Sequence, residues 1–286
     1  MTEKQVEQVR QAFVRSPRKS TVRGSRELGI TKPTVWRILR KRFKLKTYRL
    51  TLLQKLQSDN HHRRTTFCTE LQALMEEDGF FQRMIFSDEC TFHLCGKVNR
   101  HNVRIWGTEN CKSVAEVACD SAKVNVFCDV STFKVYGPFL FSEQTVTGIA
   151  FLDMLSEWLL PQLNEDIADF ILQMDGAPPP FHRHVREILN QHLPQRWIGR
   201  GTDDDQMLLA WPPRSSDATP CDFFLWGYVK DQVYVPPLLA SIPELKVRIR
   251  TATETITADM LQTVWNELDY RVDVCSITKG AHIEHL

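Results

Sequence analysis

Three acidic side chains, and a fourth beside one of them, stand where chemistry rather than folding would put them. Asp88 and Glu89 interrupt the apolar run MIFSDECTF (84–92), which has the composition of a buried strand. An unpartnered carboxylate is costly in a core, so a residue there calls for a metal or a base. Asp175 closes a second apolar run, DFILQMDG (169–176), short enough for a strand buried on both faces. Asp222 opens CDFFLWGYVKDQVY (221–234), which reads as a helix. Strand ends and helix starts gather at one edge of an open α/β sheet, so acids this far apart in the chain can share a site. Carboxylates gathered without matching bases repel one another and raise each other's pKa. Oxygen-rich sites of this kind suit Mg²⁺ or Mn²⁺. Two such ions roughly 3.5–4 Å apart activate a nucleophile on one side of a phosphodiester and stabilise the leaving oxygen on the other.

Neighbours on a strand point to opposite faces, so Asp88 and Glu89 cannot both enter one compact site. Asp88 is the expected ligand, and Glu89 is expected to face a basic neighbour or solvent. Among rival groups, Asp217 precedes Asp222 in the same block, and Asp203, Asp204 and Asp205 form a run better suited to a solvated loop. His182 and His184 lie two apart on a predicted helix and do not share a face. The eight cysteines include no CxxC pair and read as reduced thiols of an intracellular chain.

The elements that must position these acids follow from patterning. TFCTELQALMEEDGFF (66–81) is an amphipathic helix, followed by the strand 84–92. KVNVFCDVSTFKVYGPFLF (123–141) reads as two strands around a turn near Ser131 and Thr132. TGIAFLDMLSEWLLPQL (147–163) has helical periodicity, with Phe151, Leu155, Trp158 and Leu159 on one stripe. After the strand ending at Asp175 come the helix FHRHVREILNQHL, a strand at RWIG and the helix opened by Asp222. A hairpin entering a partly parallel α/β sheet is the expected topology, in the order of a ribonuclease H-like domain.

The net charge of +1 conceals a division. Residues 1–66 hold 18 Lys/Arg against 4 Asp/Glu, a net of +14, and residues 67–286 hold 18 against 31, a net of −13. Such asymmetry suggests a nucleic-acid-binding arm joined to a domain of another kind. Thr2 and Gln5 have capping-box spacing, and Val6, Val9 and Phe13 share a helical face that Pro17 ends. A second helix starts from Ser20 and stops at Gly29, and a third is capped by Thr31. Leu28, Ile30, Val35, Ile38 and Leu39 supply a small core between them. This is the helix-turn-helix pattern, with Lys32, Thr34, Arg37, Arg40, Lys41 and Arg42 expected to face DNA. The expected organisation is a helix-turn-helix domain over 1–43, a basic linker over 44–66, of which 44–64 also reads as a connecting helix, and a catalytic domain over 67–286. No apolar run reaches membrane-spanning length and the N-terminus is unlike a signal peptide.

FSDECTFH, QMDGAPPPFH and WPPRSSDATPCDFFLWGYVK together resemble the three catalytic blocks of the mariner-like DDE/D transposases, and VNRHNVRIWG resembles a stretch of their insect members. The helix-turn-helix also lies where that family carries one. The resemblance implies a ribonuclease H-like α/β catalytic domain, a mixed sheet with flanking helices, behind a small all-α DNA-binding domain. It implies Asp88, Asp175 and Asp222 as catalytic residues holding Mg²⁺ or Mn²⁺ as two ions, with Asp217 as a loop aspartate. The implied activity is binding of terminal inverted repeats, metal-dependent strand cleavage and strand transfer to target DNA. It further implies double-stranded DNA as partner, no membrane, a homodimer and a nuclear location; the apolar helices 242–268 read either as a surface for that dimer or as core. Against the family pattern the chain begins just ahead of the second helix-turn-helix unit. Ser216 stands where the family has Pro, Pro180 is an added proline, and TDDDQMLLA widens the gap before Asp222. These departures keep open a transposase-derived DNA-binding protein without catalysis, or a plain nuclease or integrase of the same fold.

Overall fold

The computed structural model describes residues 2–15, 21–45, 55–95, 121–235, 237 and 239–283. The chain divides into two compact units, Met1–Leu52 and Leu53–Leu286.

The first unit contains α1 (Glu3–Arg15), α2 (Thr21–Leu28) and α3 (Lys32–Arg37), which continues into a π-helical turn, Ile38–Arg42. The capping box forms: the Thr2 amide donates to Gln5 Oε1 at 3.1 Å and the Gln5 amide to Thr2 Oγ1 at 3.4 Å. Gly29 takes φ +63°, which ends α2 in the left-handed region that glycine tolerates without strain. Ile30, Val35, Ile38 and Leu39 are buried together, as the pattern predicted, and α1 adds Val6 and Val9 to the same core. Leu28 packs at its margin. The expected stop at Pro17 and cap at Ser20 lie outside the described residues.

The second unit is built on a six-stranded sheet of order β3-β2-β1-β4-β5-β6. β1 (Met84–His93), β2 (Lys123–Val130) and β3 (Val135–Leu140) form an antiparallel meander. β4 (Ile171–Gln173), β5 (Trp197–Gly199) and β6 (Leu209–Ala210) then continue in parallel from β1. The predicted turn closes through Ser131, whose Oγ donates to the Lys134 carbonyl at 2.8 Å and accepts from the Lys134 amide at 3.0 Å. β6 was not anticipated, because two residues carry no period.

Strand alternation sends Met84, Phe86 and Phe92 to one face and Ile85 and Phe127 to the other. The first face is covered by α4 (Ser58–Met75), α9 (Trp226–Val233), α10 (Ile242–Glu254) and α11 (Ala258–Ile277). The short helix α5 (Phe80–Arg83) leads into β1. The second face is covered by α6 (Gly148–Asp153), α7 (Leu160–Asp166) and α8 (Arg183–His192), with α6 and α7 joined by the π-helical turn Met154–Leu159. Leu245, Ile249, Leu261, Trp265 and Leu268 are buried in the first core. Of the two roles considered for the apolar side of helices 242–268, these residues take the core one. No helix among the described residues is long and apolar enough to cross a membrane.

The boundary of the linker moves. Residues 58–66, read as linker or connecting helix, are the first half of α4 and belong to the second unit. The helix starts because the Gln57 amide donates to Asn60 Oδ1 at 2.8 Å, and Arg64 on its inner side is 1% exposed. Residues 46–54 of that segment lie outside the described residues.

One polar group in the sheet makes a pH prediction. Asp129 of β2 is fully buried and neither carboxylate oxygen has a hydrogen-bond partner. Burial, and then the Glu89 carboxylate, hold its pKa well above the usual carboxylate range. The folded chain thus keeps a proton that the unfolded chain releases near pH 4, so this residue costs stability as pH rises above that point. Asp129→Asn is expected to flatten the decline of unfolding free energy with pH by up to about 1.4 kcal/mol per pH unit. Urea denaturation of both proteins between pH 5 and 8 checks this, and parallel profiles contradict it.

Candidate active site

Asp88 lies in the middle of β1, opposite Cys128 of β2. On its face lies the helical segment that opens with a π-helical turn, Cys221–Leu225, and runs into α9. That segment is fastened along β1. Cys221 Sγ donates to the Phe86 carbonyl at 3.3 Å, Trp226 Nε1 to Asp88 Oδ2 at 2.7 Å, and the Tyr234 hydroxyl to the His93 carbonyl at 2.8 Å. Phe92 meets the Trp226 ring edge-on at 6.1 Å between centroids. Asp222 is delivered to the Asp88 region by this clamp, one residue after Cys221 and four before Trp226.

Asp175 arrives by strand register. β1 and β4 are parallel with Phe86 aligned to Gln173, so two residues further on Asp88 is level with Asp175. Asp175 Oδ1 accepts from the Ala177 amide at 2.8 Å, which turns the chain as it leaves the strand. The electrostatics record the gathering. Burial, then the Asp222 carboxylate, push the Asp88 carboxyl up to about 7, with Asp175 adding to the rise and the Trp226 bond opposing it. Burial also raises Asp175. Asp175 and Asp222 thus both lie within electrostatic reach of Asp88.

Glu89 is a correction. It does point away from the Asp88 face, but it is only partly exposed, and among the described residues no base is paired with it. Its Oε1 is inaccessible and without a hydrogen-bond partner. Burial, then the Asp175 and Asp88 carboxylates, hold it well above the usual carboxylate range. Strand parity was a sound guide to direction. It carried no information about what covers the far face.

Asp217 has another job. It is 2% exposed and takes a two-pronged ion pair from Arg64, with Nη1 2.6 Å from Oδ1 and Nη2 2.8 Å from Oδ2. Arg64 also donates to Ser215 Oγ and to the Gly280 carbonyl, both at 2.9 Å, and Asp217 accepts from the Ile283 amide at 3.1 Å. The pair therefore ties α4, the loop leading to Asp222 and the residues after α11 together. Asp205 is not solvated either. Its side chain is 5% exposed and is held by Arg186, by Asn190 at 2.8 Å and by the Thr202 amide at 2.7 Å, while Asp203 and Asp204 are exposed. His182 and His184 meet ring to ring at 5.3 Å, because His182 precedes α8 instead of lying within it. Among the described residues no three His, Cys, Asp or Glu side chains form a ready-made metal cage.

In the first unit Lys32, Arg37, Arg40, Lys41 and Arg42 are exposed and Thr34 is half-buried. Thr34 Oγ1 lies 2.9 Å from Thr31 Oγ1, and Arg42 is paired with Glu3 at 2.7 Å. Trp36, on the same helix, is also exposed and had no place in the sequence reading. Trp226 was missed as well, although its position four residues after Asp222 puts it on the same helical face.

A six-stranded mixed sheet of this order, with helices on both faces, is a ribonuclease H-like fold. The likeness extends to particular solved structures. "Crystal structure of the mariner Mos1 paired end complex with Mg" matches with a TM-score of 0.76 at 16% identity, over 99% of this chain and 82% of that one. "Mos1 transposase paired-end complex with left transposon end" matches with a TM-score of 0.75 at 17% identity, over 98% and 80%. "Structure of Mos1 transposase catalytic domain and Raltegravir with Mn" matches with a TM-score of 0.60 at 16% identity, over 81% of this chain and all of that one. No protein-family model matches the sequence, and no curated protein matches it.

Removing one partner of a buried pair strands the other's charge. Arg64→Ala is expected to lower the unfolding free energy by about 3–5 kcal/mol, measured by urea denaturation. A loss under about 1 kcal/mol, the size of an exposed pair, means the lock does not hold the loop.

Proposed function

We propose that the chain is a mariner-like transposase that binds the ends of its own DNA element, cuts them and joins them to target DNA in the nucleus. The observation that carries this reading is a fold shared over 98–99% of this chain and 80–82% of solved Mos1 transposase chains, in which Asp175 and Asp222 act on Asp88. The quoted sequence blocks carrying the resemblance hold the same three acids.

The residues present fit a divalent cation. Their donors are hard carboxylate oxygens, burial raises Asp88 and Asp175 with neighbouring carboxylates adding to the rise at Asp88, and the bonds shown to Asp88 and Asp175 come from one indole and one amide. Mg²⁺ and Mn²⁺ take one or two carboxylates each and keep other positions for water and phosphate oxygens. Asp88, Asp175 and Asp222 would hold the ions, proposed as two; when bound, these supply an activated nucleophile and neutralise charge on the phosphoryl group. Trp226 keeps Asp88 in one orientation, and the Asx turn at Ala177 does so for Asp175. The Arg64–Asp217 lock sets the loop from which Asp222 starts. In the first unit, Lys32, Arg37, Arg40, Lys41 and Arg42 contact the phosphates and bases of double-stranded DNA, with Thr34 turned to its own helix start.

With purified full chain and Mn²⁺, a supercoiled plasmid is expected to be nicked, and Asp88→Ala to remove the activity to background. Nicking that survives Asp88→Ala sinks the assignment. A wild type that binds duplex DNA without nicking it favours the non-catalytic DNA-binding reading. Lys41→Ala is expected to weaken duplex binding and to reduce the slope of log affinity against log salt by about 0.9, the share of one phosphate contact. An unchanged slope removes Lys41 from the interface.

A further inference from the structure

The second unit carries net negative charge, yet one uncommitted cation stands at the edge where its acids gather. Arg200 follows β5 directly. β4 and β5 are parallel with Gln173 aligned to Ile198, so two residues on Arg200 is level with Asp175. Its guanidinium does not turn to an acid. It lies over the Phe181 ring at 4.1 Å from the centroid, and Nη1 reaches the Gly176 carbonyl at 3.5 Å.

Phe181 carries two guanidiniums, and the contrast between them is informative. Arg186 sits 4.8 Å from the ring centroid, half-buried, and its charge is met by Asp205. Arg200 is exposed, and among the described residues it forms no ion pair. A planar fork held against an aromatic face loses less freedom on binding than a free side chain. Its five donors match phosphate oxygens in geometry and charge. An exposed and pre-oriented guanidinium that reaches the Gly176 carbonyl, and is uncompensated among the described residues, therefore has the chemistry of an anion clamp beside Asp175.

We propose that Arg200 binds a backbone phosphate of the DNA strand that enters the site, next to the phosphodiester held at Asp88, Asp175 and Asp222. The inference rests on the transposase reading, and Arg200 acts in it as a substrate-binding residue, not a ligand of the ions. It predicts a loss of substrate affinity without loss of the chemical step.

Two readouts on the full chain test it. A labelled short duplex in Ca²⁺ gives binding against salt, and plasmid nicking in Mn²⁺ gives kcat and KM. Arg200→Ala is expected to make the salt slope shallower by about 0.9. It is also expected to raise KM about tenfold, the loss of a hydrogen bond to a charged group, with kcat within about twofold. Arg200→Lys keeps the charge and should restore the slope while recovering only part of the affinity. An Arg200→Ala protein with wild-type slope and KM, or with reduced kcat and intact KM, overturns the proposal and leaves the transposase reading standing. A wild type that does not nick overturns that reading instead, and the slope in Ca²⁺ still decides whether Arg200 grips phosphate.

Discussion

Like charges held together in a folded protein push the structure apart, and the second unit is organised around resisting that push. Asp88 feels Asp175 where β1 and β4 run level and Asp222 where a helix starts against β1. Burial, then the Asp222 carboxylate, drive Asp88 up to about 7. The restraints are local and named. Trp226 donates to Asp88 from the helix that carries Asp222, and Tyr234 fastens the far end of that segment to His93. One interaction thus orients one acid while fixing the distance at which another is presented.

The segment in turn depends on the loop before it. Arg64 and Asp217 are both nearly inaccessible, and their pair reaches from α4 to the residues after α11. A buried pair of this kind contributes little net stability against an apolar substitute, but it is intolerant of losing one partner. Its value here is positional. It sets where the chain stands at Ser215–Asp217, from which Asp222 follows after a single turn of 3₁₀-helix, Ser216–Ala218.

Much of this was legible in the residues. An aspartate inside an apolar strand has few bland explanations, so Asp88 stood out. The β-meander, the parallel strands at Ile171 and Trp197, and the three-helix core of the first unit followed from period and caps. What failed has a common physical reason: a local pattern says which way a side chain points, not what it meets. Glu89 points away from Asp88 as alternation requires, yet it meets enclosure and a second buried acid, Asp129, in place of solvent. Arg64 was counted with the basic arm because composition cannot tell a buried guanidinium from an exposed one. Asp205 was assigned to a solvated loop although Arg186 and Asn190 hold it inside. Arg200, by contrast, is visible only once β4 and β5 are aligned.

Asp88, Asp175 and Asp222 are proposed to form one cation site, and direct Mn²⁺ binding tests this apart from any DNA. Electron paramagnetic resonance titration of the full chain reads free against bound ion. Mn²⁺ is expected to bind the wild type, to bind Asp88→Asn, Asp175→Asn and Asp222→Asn each more weakly, and to bind Asp203→Asn as it binds the wild type. Three variants that take up Mn²⁺ as well as the wild type would contradict the account.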